Sequence, residues 1–254
     1  MKQVGLQLYS IRTAIDENFE DSIRKVAAMG YKNIETAFFP EHVSYARAGQ
    51  LFNELGLNVV SAHCELPSDD LQRDLWLEMA EAYDCKNMIW HGWPRNDRYK
   101  SVENTKKWVE IYNEASAFAK ANGLRLGLHN HWWEFEEVDG HIPFYYLLEN
   151  LDPDIFFEID IYWAKVAGKD PAKIVADFGD RVSHLHVKDG PARTGETDAM
   201  QLPAGQGTLN IPAILQAASD KTEWLIVEFD NCATDILKAV QESYRYLAED
   251  VLAK

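Results

Sequence analysis

Four late segments of the chain end apolar runs on side chains that bind divalent metals. LGLHNH ends on His129 and His131, FFEID on Asp160, SHLHVKD on His186 and LIVEFD on Glu228. Asp160 follows Phe156, Phe157 and Ile159, and Glu228 follows Leu225, Ile226 and Val227. A carboxylate at the end of such a run is costly to bury alone, so each is expected to have a cation or a hydrogen-bond partner. Two carboxylates with imidazoles favour a first-row divalent ion such as Mn2+, Co2+ or Zn2+, or a related ion such as Mg2+, over Ca2+. The competing account, in which these acids and imidazoles pair only with one another, requires no metal.

These endings belong to a longer series. Earlier runs close at Gln7 and Tyr9, at Glu35 (NIETAF), at His63 (VVSAH) and at His91 (MIWH). The gaps run from 26 residues (Tyr9 to Glu35) to 42 (His186 to Glu228), enough for one strand, one helix and two loops. Helix-like stretches fill them, among them SYARAGQLFNELG and VENTKKWVEIYNEASAFAKANG, and Gly30, Gly56, Gly123 and Gly179 stand where a left-handed cap is wanted. Eight strand–helix units in 254 residues predict an α/β fold, a single (β/α)8 TIM barrel over residues 1–254 with no second domain. In such barrels chemistry sits at the carboxyl ends of the strands, so all of these polar endings converge on one face.

Composition narrows the partners. With 25 basic and 41 acidic residues the net charge is −16, which repels polyanions and argues against nucleic acid. No stretch approaches the ~20 apolar residues of a membrane span, and Val4 to Leu8 read directly as strand, so a cytoplasmic location is expected. Three cysteines, Cys64, Cys85 and Cys232, are too few for a disulfide framework and are read as reduced. Gly205-Gln206-Gly207 reads as a turn or a weak anion loop, and Gly190 to Leu209 as a long loop at the barrel mouth. Trp90, Trp93, Trp132, Trp133 and Trp163 sit at or just past strand ends with Tyr9, Phe38 and Phe39, a lining suited to the apolar faces of a sugar. His63, His91, His131, Lys188 and Glu35 are candidate hydroxyl-binding groups beside Trp163, although Lys188 could instead pair with Asp189 or Glu158. His184 shares its strand face with His186 one layer deeper and is read as structural.

The segments GLQLYSIR, HNHWWEFE, EIDIYWAKVAG, HVKD, GQGTLN and VEFD together resemble the xylose isomerase-like barrel superfamily of sugar phosphate isomerases and epimerases, which also holds AP endonucleases of family 2. The resemblance spans nearly the whole chain. It implies one divalent ion held by His129, Asp160, His186 and Glu228, and an enzyme that enolises a keto or aldo sugar beside the metal. It leaves self-association open. Many members carry a glutamate where this chain has His129, and there the fifth- and eighth-strand glutamates form an acid/base pair. Here Glu228 is the proton-transfer candidate, with Glu134 second. Loss of one partner favours a one-base shift or elimination, so a dehydratase of the inosose type, a keto-glycoside lyase and a hydroxypyruvate-type isomerase stand as alternatives to the isomerase or epimerase. Two other classes compete: an AP endonuclease, which would want a histidine where Trp163 stands, and a non-catalytic sugar-binding barrel.

Overall fold

A computed structural model describes residues 1–253. Eight parallel strands close into a barrel in sequence order, which is the architecture expected from the sequence. They are β1 (Gln3–Gln7), β2 (Asn33–Thr36), β3 (Asn58–Cys64), β4 (Asn87–Trp90), β5 (Arg125–His129), β6 (Phe156–Asp160), β7 (Val182–Val187) and β8 (Trp224–Val227). The strands of a parallel barrel are covered on both faces. Every residue of β2, β6 and β7 is accordingly buried, the charged ones included.

Local chemistry sets the outer helices. Ser44, Asp69 and Ser101 each accept the backbone N–H three residues on, starting Tyr45–Leu55, Asp70–Tyr83 and Val102–Ala121. Gly56 closes the first of these in the left-handed conformation, as its sequence position predicts. Asp84 does the same for the second without being glycine, whereas Gly179 (φ 51°, ψ −127°) lies outside the left-handed helical well.

One helix departs from the sequence reading. Ile161–Val166 follows β6 with no intervening loop, because Asp160 Oδ1 accepts the N–H groups of both Tyr162 and Trp163 at 2.9 Å. The pairing is irregular at two places, between Ile34 and Glu35 in β2 against β3, and between Phe157 and Glu158 in β6 against β7. Such irregularities re-aim side chains. Among the described residues no helix is long and apolar enough to cross a membrane.

Candidate metal centre and substrate pocket

The carboxyl ends of β5 to β8 bring His129, Asp160, His186 and Glu228 together, each offering one ligand atom within 4.8 Å of the others. His129 Nε2 stands 3.7 Å from Asp160 Oδ2, which lies 3.9 Å from His186 Nδ1; His186 Nδ1 approaches Glu228 Oε2 to 2.5 Å. His129, Asp160 and His186 are each oriented by their other polar atom. Asp160 Oδ1 caps the helix behind it, and Asp160 N donates to Asn130 Oδ1 at 2.9 Å. His129 Nδ1 faces the His91 carbonyl at 3.3 Å and donates to it, which leaves Nε2 with a free lone pair.

Hydrogen-bond accounting provides the test of fit. His129 Nε2, Asp160 Oδ2, His186 Nδ1 and Glu228 Oε2 are all buried and all lack a hydrogen-bond partner. Buried polar atoms are nearly always paired, so four orphans converging on one point fit a divalent cation. Burial and the neighbouring His186 and His63 keep the His129 pKa well below the usual histidine range, the state a ligand requires. Burial would raise Glu228, but His186 and Lys188 hold it well below the usual carboxylate range. Asp160 is raised by burial, with Lys188 and His186 opposing.

Lys188 is fully enclosed at this point. Its ammonium is 3.0 Å from Asp160 Oδ2, 2.8 Å from Glu228 Oε2 and 2.6 Å from Asp230 Oδ2, and its hydrogen bond goes to Asp230. Those three carboxylates, rather than Asp189 or Glu158, are therefore its ion partners. Asp189 turns away and accepts the N–H groups of Gly190, Gly205, Gly207 and Leu209, tying down the long loop after β7. This gives the paired glycines a turn role, since a Cβ on Gly207 would lie 2.0 Å from Asp189 Oδ1.

Above the four ligand atoms opens a cavity of about 340 Å³. His63, His91, His129, His131, Trp163 and Glu228 line it, together with Tyr9, Phe38, Trp93 and Trp132. Trp90 and Trp133 instead pack inward, Trp90 stacking on Trp108 at 5.5 Å and Trp133 on His131 at 4.2 Å. Three larger hollows, about 510 Å³ around Tyr145 and two of about 500 and 590 Å³ beside Trp108, are lined by outer helices and loops and hold no such convergence. The cavity at the strand ends is the chemically equipped one.

Apart from the metal ligands, three sequence candidates lie outside the lining: Lys188, enclosed by its carboxylates, and Glu35 and Glu134. Glu35 is fully buried beneath the cavity, where it accepts from Gln7 Nε2 at 2.7 Å and from Ser61 Oγ. Glu134 is also buried and outside the cavity lining; its Oε2 accepts the His131 N–H at 2.8 Å, Arg98 stands 3.7 Å from Oε1, and burial pushes its pKa up to about 7. His184 is buried with no hydrogen-bond partner on either nitrogen and stacks on Phe156 at 5.2 Å. The sequence reading gave Glu158 only as a possible partner of Lys188 and passed over Asp230, although each lies two residues from a residue it selected on or just past the same strand, and the period of two was the available signal.

The family model for the xylose isomerase-like TIM barrel matches residues 23–249. The chain belongs to that family. The xylose isomerase-like fold is equally plain in solved structures. A sugar phosphate isomerase/epimerase from Parabacteroides distasonis superposes with a TM-score of 0.79 at 22% identity over 98% of this chain and 95% of that one. A probable 3-DHS dehydratase from Bacillus anthracis gives 0.76 at 14% identity over 97% and 98%. A protein called IOLI, with a bound zinc atom, gives 0.72 at 13% identity over the full length of both. No curated protein matches the chain.

Proposed function

We propose that this xylose isomerase-like barrel is a divalent-metal-dependent enzyme that enolises a keto or aldo sugar, as an isomerase or epimerase. The observation that carries the reading is the set of four ligand atoms without hydrogen bonds at the floor of an aromatic cavity. His129, Asp160, His186 and Glu228 would hold a divalent ion, which would supply Lewis-acid polarisation to a sugar carbonyl. The chain does the rest. Trp93, Trp132 and Trp163 offer apolar surface to the sugar, and His63 and His131 offer ring nitrogens to its hydroxyls, while both His91 nitrogens are engaged, Nε2 with Glu65 and Nδ1 accepting the Trp93 N–H. Glu228, the one carboxylate among the four that faces the cavity, moves the proton, a contribution of about 10²- to 10⁴-fold. Lys188, held against Glu228 and Asp160, keeps positive charge beside the developing oxyanion.

The second base is the point at which a dehydratase competes. Glu134 does not line the cavity, and its free Oε1 faces the same side of Gly92 as His131 Nδ1. It would act through His131, which does reach the cavity. If that route is idle, one base remains and abstraction followed by loss of a leaving group is favoured. The solved 3-DHS dehydratase with this fold is in keeping with that outcome.

Metal content and isotope exchange test the proposal together. Purified protein should hold about one divalent ion per chain, and candidate ketoses in D2O should gain deuterium beside the carbonyl. Glu228→Gln should abolish the exchange, and Glu134→Gln should slow it. A loaded protein that exchanges no candidate ketose would overturn enolisation, and a protein that binds sugar with no ion would overturn the metal reading.

A further inference from the structure

Beneath the four ligand atoms lies a second group of metal-binding side chains, Glu35, His63, Glu158 and His186, again with ligand atoms within 4.8 Å of one another. His186 belongs to both groups through opposite ring nitrogens. Nδ1 faces Glu228 and Asp160, whereas Nε2 stands 2.7 Å from Glu35 Oε1 and 3.1 Å from Glu158 Oε2. His63 Nε2 completes the lower ring at 2.7 Å from Glu158 Oε2 and 3.2 Å from Glu35 Oε1.

Residue type alone would make this a second ion site, but the hydrogen bonds decide otherwise. All four imidazole-to-carboxylate edges here, 2.7 to 3.2 Å, fall in or near the hydrogen-bond range. Occupancy points the same way. Glu35 Oε1 already accepts from His186 and Gln7 Nε2, and its Oε2 accepts from Ser61 Oγ, so only Glu158 Oε1 is left without a partner. In the upper group no ligand atom has a hydrogen bond, and two of the four have only the ion contact with Lys188; in the lower group nearly every one is satisfied.

The lower group also has the marks of deliberate construction. Both of its carboxylates sit at the irregularities in strand pairing, Glu35 after Ile34 and Glu158 after Phe157. The His63 ring lies nearly parallel to that of His186, 20° between planes and 5.3 Å between centroids.

We infer that Glu35 and Glu158, with His63, are positioning residues for the metal centre: Glu35 takes the Nε2–H of His186, Glu158 stands beside that nitrogen while holding His63, and Nδ1 of His186 is so presented as the ligand. This rests on the metal reading above. A histidine whose second nitrogen donates to a carboxylate is fixed in one tautomer and ring orientation and is the stronger donor.

Two measurements separate this from a merely structural role. In the zinc-loaded protein, long-range 1H–15N correlation should find a proton on His186 Nε2 and none on Nδ1, with the Nε2–H resonance downfield and protected from solvent exchange. At pH 8.5, where protons compete least, competition against a chromophoric chelator should find zinc bound about 10- to 100-fold more weakly by Glu35→Gln and by Glu158→Gln. Glu35→Asp, which keeps the charge, should recover part of the loss. A second zinc per chain with both His186 nitrogens unprotonated would overturn the inference. So would affinities within twofold of wild type in both folded Gln variants. If either variant fails to fold, the wild-type tautomer decides alone. A wild-type protein that binds no zinc at all would instead remove the metal reading on which the inference stands.

Discussion

Replacing Glu134 by glutamine should change how the stability of this barrel responds to pH. The carboxyl is enclosed and holds one backbone hydrogen bond, from His131 N at 2.8 Å, while Oε1 has no partner and Arg98 stands 3.7 Å away. Burial outweighs both and raises the pKa from 4.5 to about 7. The folded chain therefore binds this proton more tightly than the unfolded chain. The stabilisation is complete below pH 4.5 and is lost as pH rises through 7. A shift of 7 − 4.5 = 2.5 pH units corresponds to about 3 kcal/mol. Glutamine has nearly the same shape, still accepts the His131 N–H and cannot titrate. Urea unfolding followed by tryptophan fluorescence, with EDTA present, should show Glu134→Gln gaining about 3 kcal/mol on the wild type between pH 4.5 and pH 8. Other groups titrate alike in both proteins and cancel in the difference. A pH-independent difference would refute the reasoning, and a wild type that gains with rising pH would mean that Arg98 governs and the carboxyl is ionised. Either result would also remove Glu134 as a group that carries a proton at neutral pH.

Lys188→Met leaves Asp160, Glu228 and Asp230 without the ammonium they share, which should cost the metal-free protein about 3–5 kcal/mol. A divalent ion would then supply the missing charge, so zinc should raise Tm more in the variant than in the wild type by calorimetry, and an equal or smaller rise would refute this. Gly207→Ala places a Cβ 2.0 Å from Asp189 Oδ1 and 2.1 Å from Gly190 N, and should break the clamp that gathers the loop after β7. Limited proteolysis should then cut between residues 190 and 209 far faster than in the wild type, and an unchanged cleavage rate would show that Asp189 does not hold the loop.

The barrel was legible because eight apolar runs recur with gaps that fit one helix each, and because the polar residue closing each run marks the strand's carboxyl end. Convergence of His129, Asp160, His186 and Glu228 followed from topology alone. The helix Ile161–Val166 was not legible, since six residues are too short to show a period. Its start depends on Asp160 acting with both oxygens, one as cap and one turned to the ligand cluster. Glu134 was placed near the site by sequence distance, yet a loop residue's direction depends on the local turn, here a single 3-10 turn over Trp133–Phe135 that buries it against Arg98.

What separates a ligand from its support in this site is occupancy, which residue type does not record. Glu35 and Glu228 are both buried glutamates near a strand's carboxyl end, and both contact His186. In a sequence they read alike, one as a hydroxyl binder and one as a ligand. Glu35 faces Gln7, Ser61, His63 and His186, so its lone pairs are spent within the barrel. Glu228 Oε2 has only the mismatched approach of His186 and the ammonium of Lys188, and no hydrogen bond. A carboxylate oxygen left with one ion contact and no hydrogen bond is less fully satisfied than one whose lone pairs are filled. The upper group thus favours a cation that the lower group has no capacity to take, and the asymmetry arises from the neighbours contributed by β1 and β3, strands whose own endings showed no link to the metal ligands.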